Sequence, residues 1–75
     1  MKIWEFDKNT FAEDLKNLRL DAQMSQRDLA GRVPFCSPYS IAKYEAGEYL
    51  PNMNAVIGIA QALGIDEVRI NTSKR

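Results

Sequence analysis

The side chains of this 75-residue chain that could do chemistry are hydrogen-bond donors and cations rather than nucleophiles or metal ligands. The chain has no histidine and a single cysteine, Cys36, so it lacks the usual nucleophilic pairs and zinc-binding sets. It also has no glycine-rich phosphate loop and no evident cluster of carboxylates. We therefore expect a binding protein and not an enzyme, with no metal, no cofactor and no small-molecule ligand.

The donors are concentrated between Ser25 and Gly47, a stretch that predicts two short capped helices joined by a tight turn. Ser25 and Asp28 form a capping box of the S-x-x-D kind at the start of the first helix. Pro34 ends that helix, because it has no N–H and disfavours helical geometry in the residue before it. Ser37 caps the second helix, with proline at its first position, and Gly47 ends it in a left-handed conformation. This is the layout of a DNA-reading helix-turn-helix.

The composition is that of one small globular domain, residues 1–75, with the motif at residues 25–47. No segment approaches the ~18 apolar residues of a membrane span, and the acidic start is unlike a signal peptide. We expect a soluble, cytoplasmic protein without membrane contact. Ten basic residues balance ten acidic ones, so any attraction to phosphate must come from a local patch.

Apolar periodicity predicts four helices, at about 11–22, 26–33, 38–45 and 53–63. A T-x-x-E capping box at Thr10 begins the first helix. Pro51 and Asn52 begin the fourth helix, and Gly64 ends it. The alternating chain ends, at 2–6 and 67–71, predict two short strands that pair antiparallel. The buried faces should carry Phe11, Leu15, Leu18, Ala22, Leu29, Ala30, Val33, Ile41, Tyr44, Met53, Val56, Ile57, Ile59, Ala60 and Leu63.

Residues about 12 to 65 resemble the phage repressor/Cro-type helix-turn-helix family, also called the XRE family. The matching pieces are Leu18-Arg19, Ser25-Gln26, Leu29-Ala30, Ser40-Ile41, Glu45, Gly47 and the segment Ile59-Ala60-Gln61-Ala62-Leu63-Gly64-Ile65. The resemblance implies a mainly α fold: a four-helix, repressor-like DNA-binding domain, to which the terminal strands add the small sheet.

Two departures from the family pattern affect the motif. Relatives have glycine after the first motif helix, where the turn needs a positive φ, but this chain has Pro34, which cannot adopt it. The segment Pro34-Phe35-Cys36 is also one residue longer than the common turn, which leaves the angle of the second motif helix open. Where relatives place lysine or arginine after that helix to hold phosphate, this chain has Glu48, which would repel it.

The resemblance implies where DNA would be contacted. Gln26 would grip a phosphate or support a base-reading side chain, and Arg27, together with Arg32, could flank it on phosphate. The outward face of the third helix would enter the major groove. Its proline has no donor, so Tyr39, Lys43 and two hydroxyls would read bases, with Lys43 on guanine O6 and N7. This outward face comprises Ser37, Pro38, Tyr39, Ser40 and Lys43.

Other residues are expected to be structural. The resemblance implies an ion pair between Arg19 and Glu45 that ties the first helix to the end of the third. Trp4 and Tyr44 are interpreted as core residues rather than stacking platforms for bases. Cys36 is interpreted as a small apolar filler of the turn.

The function predicted from the sequence is a sequence-specific transcriptional regulator that binds double-stranded DNA. We expect a homodimeric repressor that binds a pseudo-palindromic operator, with one recognition helix in each subunit. A phage regulator, an antitoxin and a restriction-modification controller all fit this sequence. The alternative is a protein-interaction module on a helix-turn-helix fold that has lost DNA binding, which the neutral charge, Glu48 and Pro38 favour.

Overall fold

A computed structural model describes residues 1–70 of the chain. Its elements, in chain order, are β1 (Ile3–Phe6), α1 (Phe11–Asp21), α2 (Gln26–Ala30), α3 (Pro38–Glu45), α4 (Met53–Ala62) and β2 (Glu67–Ile70). Four helices and a two-stranded sheet make a small, mostly helical fold, which the sequence predicts in number, order and type. The predicted residue Asn71 lies outside the described residues.

Local caps begin three of the four helices. The Ser25 hydroxyl accepts from the Asp28 N–H at 2.9 Å, and the Asp28 carboxylate accepts from the Ser25 N–H at 3.1 Å, which confirms the predicted capping box. Ser37 caps α3 by accepting from the N–H of Ser40 at 3.2 Å. Asn52 caps α4 by accepting from the N–H of Ala55 at 2.8 Å. These starts depend on residues three apart in the chain and need no tertiary contact.

The capping box predicted at Thr10 is wrong. Its side chain caps no backbone group of α1, and its hydroxyl instead donates to the Asp14 carboxylate at 2.9 Å. The backbone carbonyl of Asp7 accepts from the N–H groups of Thr10 and Phe11, at 3.0 and 2.7 Å. A backbone turn that enters from β1 therefore satisfies the N–H of Thr10, the donor that the Glu13 side chain of the box was expected to satisfy.

Helix α2 ends earlier than predicted, at Ala30 rather than at 33. The chain continues as tight turns, in which the N–H of Arg32 donates to Leu29 and that of Val33 to Ala30. Pro34 favours this, because it disfavours regular helix in the residue before it. The left-handed conformation expected of a glycine falls on Phe35, whose φ is 57° and whose ring is fully exposed. The longer turn therefore moves the positive φ along the chain without losing it.

The two strands are parallel, and the predicted antiparallel pairing is wrong. Trp4 pairs with Val68 in a register that runs from Ile3 opposite Glu67 to Phe6 opposite Ile70. The N–H groups of Asp66 and Glu67 both donate to the carbonyl of Lys2, so the two strands start side by side. A parallel pair needs a long crossover, and here the four helices provide it by returning the chain to the end where β1 begins.

The core lies between the sheet and the helices. Its buried apolar residues are Trp4, Phe6, Phe11, Leu15, Leu29, Ala30, Val33, Ile41, Val56, Ile59, Ala60, Leu63 and Ile65, with Leu18, Ala22 and Tyr44 partly buried against them. Two residues expected on the buried side of α4, Met53 and Ile57, are exposed. Ile57 is turned about 100° around the helix from Val56, away from the face that Val56, Ile59 and Ala60 share. Met53 is the first residue of α4, where the helix has barely begun to cover the core.

Candidate nucleic-acid interface

Three helices meet at the carboxylate of Glu45, the last residue of α3. The Arg19 guanidinium of α1 donates to it from Nε at 2.6 Å and from Nη2 at 3.0 Å. Gln26, the first residue of α2, donates from its side-chain amide to the same carboxylate at 3.1 Å. A further bond, from Arg19 Nη1 to the Met24 carbonyl at 2.7 Å, ties this cluster to the connection between α1 and α2.

The Arg19–Glu45 pair is buried, with side-chain exposures of 9% and 5%. The hydrogen bond with Glu45 raises the pKa of Arg19 above its ordinary value, although burial opposes this effect. A bidentate pair fixes orientation as well as distance. The pair expected from the resemblance is therefore present, and it holds the end of α3 against α1 and the start of α2.

Gln26 faces this network rather than open solvent. Its amide is committed to Glu45 through one N–H, and the residue is only partly exposed. A primary amide has a second N–H and a carbonyl oxygen, which this bond leaves unused. The geometry thus fits a side chain that braces α3, while its contact with phosphate stays a prediction.

The opposite side of α3 is turned outward. Pro38 and Tyr39 are exposed, and Tyr39 presents 62% of its surface to solvent. The hydroxyls of Ser37 and Ser40 lie 3.3 Å apart, so one donates to the other and a single hydroxyl proton is left for an outside acceptor. The face therefore offers the ring and phenolic hydroxyl of Tyr39, one serine hydroxyl proton and the ammonium group of Lys43.

The Lys43 ammonium is already engaged. It donates to the carboxylate of Glu48 at 2.7 Å and lies 5.2 Å from the centre of the Tyr39 ring. The hydrogen bond with Glu48 raises the pKa of the Lys43 ammonium above its ordinary value. The pattern of the sequence pointed to Glu48 only as a repulsive charge. Its pairing with Lys43 spans five residues across the end of α3, a spacing that helical periodicity does not indicate.

Two further cations lie on the surface of α2 and of the turn that follows. Arg27 and Arg32 are exposed, and both attract the carboxylate of Asp28 electrostatically. The hydrogen bonds with Ser25 hold the pKa of the Asp28 carboxyl below its ordinary value, and these two arginines lower it further. The positive potential of this surface is therefore partly offset by an acidic residue within it.

Trp4, Tyr44 and Cys36, which the sequence analysis interprets as structural residues, lie in or against the core. Trp4 is buried, and its indole N–H has no hydrogen-bond partner within residues 1–70. Tyr44 packs against the core, and burial raises the pKa of its hydroxyl. Cys36 is half-buried in the turn with its thiol 3.7 Å from the Ser37 carbonyl, and burial raises its pKa too. A high pKa keeps the thiol protonated and poorly nucleophilic.

The chain belongs to a helix-turn-helix domain family, whose profile matches residues 10–72. The match contains all four helices and supports a DNA-binding protein. No curated protein and no solved structure matches the chain significantly. Across residues 1–70, no group of three or more metal-ligating side chains is placed to hold an ion, and no helix is long and apolar enough to cross a membrane.

Proposed function

We propose that this protein is a sequence-specific transcriptional repressor that reads double-stranded DNA with the outward face of α3. The observation that carries the proposal is the asymmetry of that helix. Its inner end is clamped by Arg19 and Gln26 through Glu45, while its outer face exposes polar and aromatic side chains. A reading helix needs such rigid support, because base recognition depends on sub-ångström placement of donors.

The proposed contacts divide into reading and positioning groups. Lys43 donates to guanine O6 and N7, and Tyr39 contacts a thymine methyl group or a phosphate. The hydroxyls of Ser37 and Ser40 supply a further donor, and Pro38 packs without reading. Gln26 and the arginines of the adjoining surface, Arg27 and Arg32, contact phosphates and set the register.

We further propose a homodimer on a pseudo-palindromic operator, of the phage repressor/Cro type. One recognition helix reads only a few base pairs, and a second copy about one DNA turn away provides the rest of the specificity. The proposed dimer surface consists of α4 and β2, where Ile57 and Ile70 are exposed. Because the proposed ligand is the chromosome, we place the protein in the cytoplasm, acting without catalysis or cofactor.

The test is binding to the DNA upstream of the protein's own gene, measured by gel shift and then by titration against scrambled DNA at ~150 mM salt. A specific site should be preferred by ~10³ or more. Lys43→Ala should reduce operator affinity about tenfold and relax preference at one base pair. Lys8→Ala, in the connection before α1, is the matched control and should change neither quantity.

Two results would redirect the proposal. If Lys43→Ala and Tyr39→Ala leave the preference unchanged, α3 does not read DNA, and a protein-interaction module becomes the better interpretation. Light scattering that finds only monomers, both free and on a palindromic operator, would reject the dimer while leaving the reading helix intact.

A further inference from the structure

We propose that Glu48 is a specificity-determining residue, which withholds the Lys43 ammonium from DNA phosphates and releases it to a G·C base pair. This inference rests on the proposed function of α3. It assigns a role to Glu48, which lies at the position where relatives hold phosphate with a lysine or an arginine. It also gives a physical reason for a formally neutral chain to discriminate between DNA sequences.

The end of α3 positions Glu48 against Lys43. Gly47, with φ of 76°, donates its N–H to the Tyr44 carbonyl at 3.0 Å, and the N–H of Glu48 donates to the Lys43 carbonyl at 3.0 Å. This pair of bonds is a Schellman motif. In this motif the side chains of the two residues joined by the outer bond, here Lys43 and Glu48, commonly make an apolar contact. Here an ion pair of 2.7 Å takes that place. The backbone therefore places Glu48 where its carboxylate reaches the ammonium of Lys43.

The ion pair is mismatched to a phosphate and matched to a base pair. A phosphate offers only anionic acceptors, so wherever Lys43 donates to one, the Glu48 carboxylate that it also binds is repelled and finds no donor of its own. The major-groove edge of a G·C pair offers acceptors on guanine and an amino donor on cytosine. Ammonium and carboxylate can then both find partners. Non-specific contact is penalised and one base pair is favoured.

The experiment compares Glu48→Gln, which keeps the shape and removes the charge, with the unmodified protein on operator and scrambled DNA over a range of salt concentrations. Freeing Lys43 for phosphate should raise affinity for scrambled DNA about three- to tenfold, and the salt slope on that DNA should steepen by about 0.9. Operator affinity should change less than about twofold, because the base pair already satisfies the lysine. The preference for operator should therefore fall.

A second background isolates the mechanism. In Lys43→Met, which retains the aliphatic stem, Glu48→Gln removes the repulsion of phosphate without freeing a lysine, and its amide oxygen can still accept from cytosine. Both affinities should therefore rise about equally, leaving the preference unchanged. Glu5→Gln, an exposed strand residue, controls for total charge and should leave the preference of the unmodified protein intact. Thermal unfolding should be nearly the same for all variants, since an exposed pair contributes little to stability.

The outcomes separate the two proposals. If the unmodified protein prefers its operator and Glu48→Gln keeps that preference, or lowers it equally in both lysine backgrounds, the role of Glu48 is refuted and the reading helix stands. If the unmodified protein binds operator and scrambled DNA alike, the proposed function fails and this inference fails with it.

Discussion

Replacing Glu45 with glutamine removes the charge that joins three helices while preserving the shape of the side chain. The carboxylate accepts two bonds from Arg19 and one from Gln26, at 2.6, 3.0 and 3.1 Å. A glutamine can accept only through its single amide oxygen, and its NH₂ group points a donor at another donor. The guanidinium of Arg19 would then be buried without a counter-charge.

The expected loss of unfolding free energy is about 3 kcal/mol, the lower end of the 3–5 kcal/mol found when one partner of a buried pair is removed. We take the lower end because the Met24 carbonyl still accepts from Arg19 at 2.7 Å. A chain of 75 residues has a total stability of roughly 4–11 kcal/mol, so the loss is a large share of it. For a domain of this size the unfolding midpoint should fall by about 12–24 °C.

The assay is urea unfolding followed by circular dichroism and by fluorescence of the sole tryptophan, Trp4, which is buried. Glu67→Gln removes a carboxylate from an exposed pair with Arg69 and should leave stability unchanged within error. Arg19→Met combined with Glu45→Gln should recover about 1–2 kcal/mol relative to Glu45→Gln alone, because the stranded charge is gone. A loss under about 0.5 kcal/mol for Glu45→Gln would show that the pair behaves as a surface pair and would refute its role in clamping α3.

Three further predictions concern the fold. Gln23 and Phe35 both have a left-handed backbone, with φ of 59° and 57°. Glycine at either position should therefore raise the free energy of unfolding, measured in urea, by about 0.5 kcal/mol. A lower free energy of unfolding would show that the side chain contributes more than the backbone strain costs. The lowered pKa of Asp28 means that its carboxylate stabilises the fold above about pH 4, and that this stabilisation is lost as pH falls through the pKa of the folded state. The unfolding midpoints of the unmodified protein and of Asp28→Asn should therefore converge in acid. A difference that persists in acid would contradict this dependence of stability on the Asp28 pKa. The parallel register predicts nuclear Overhauser contacts between Trp4 and Val68, whereas contacts that run in opposite directions along the two strands would restore the antiparallel alternative.

The sequence determined the features that depend on residues close together in the chain. The capping box at Ser25, the caps of α3 and α4 and the left-handed ends at Gly47 and Gly64 each involve residues within five positions of one another. Such geometry is set by local sterics and hydrogen bonding, so residue type and spacing suffice to predict it. The exception is Thr10, whose hydroxyl donates to Asp14 while the backbone carbonyl of Asp7 accepts from the Thr10 N–H.

Tertiary structure alone decided how distant segments meet. Alternation marks a strand but reads the same in both directions, so the direction of β1 against β2 depended on where four packed helices return the chain. Tertiary packing likewise decided which face of α4 is buried against the core, and it left Ile57 exposed to solvent. The candidate site shows the same division. The sequence indicated the residues of α3, but the binding of Gln26 to Glu45 and of Lys43 to Glu48 required the helix ends to be placed in space, because neither pair lies at helical spacing.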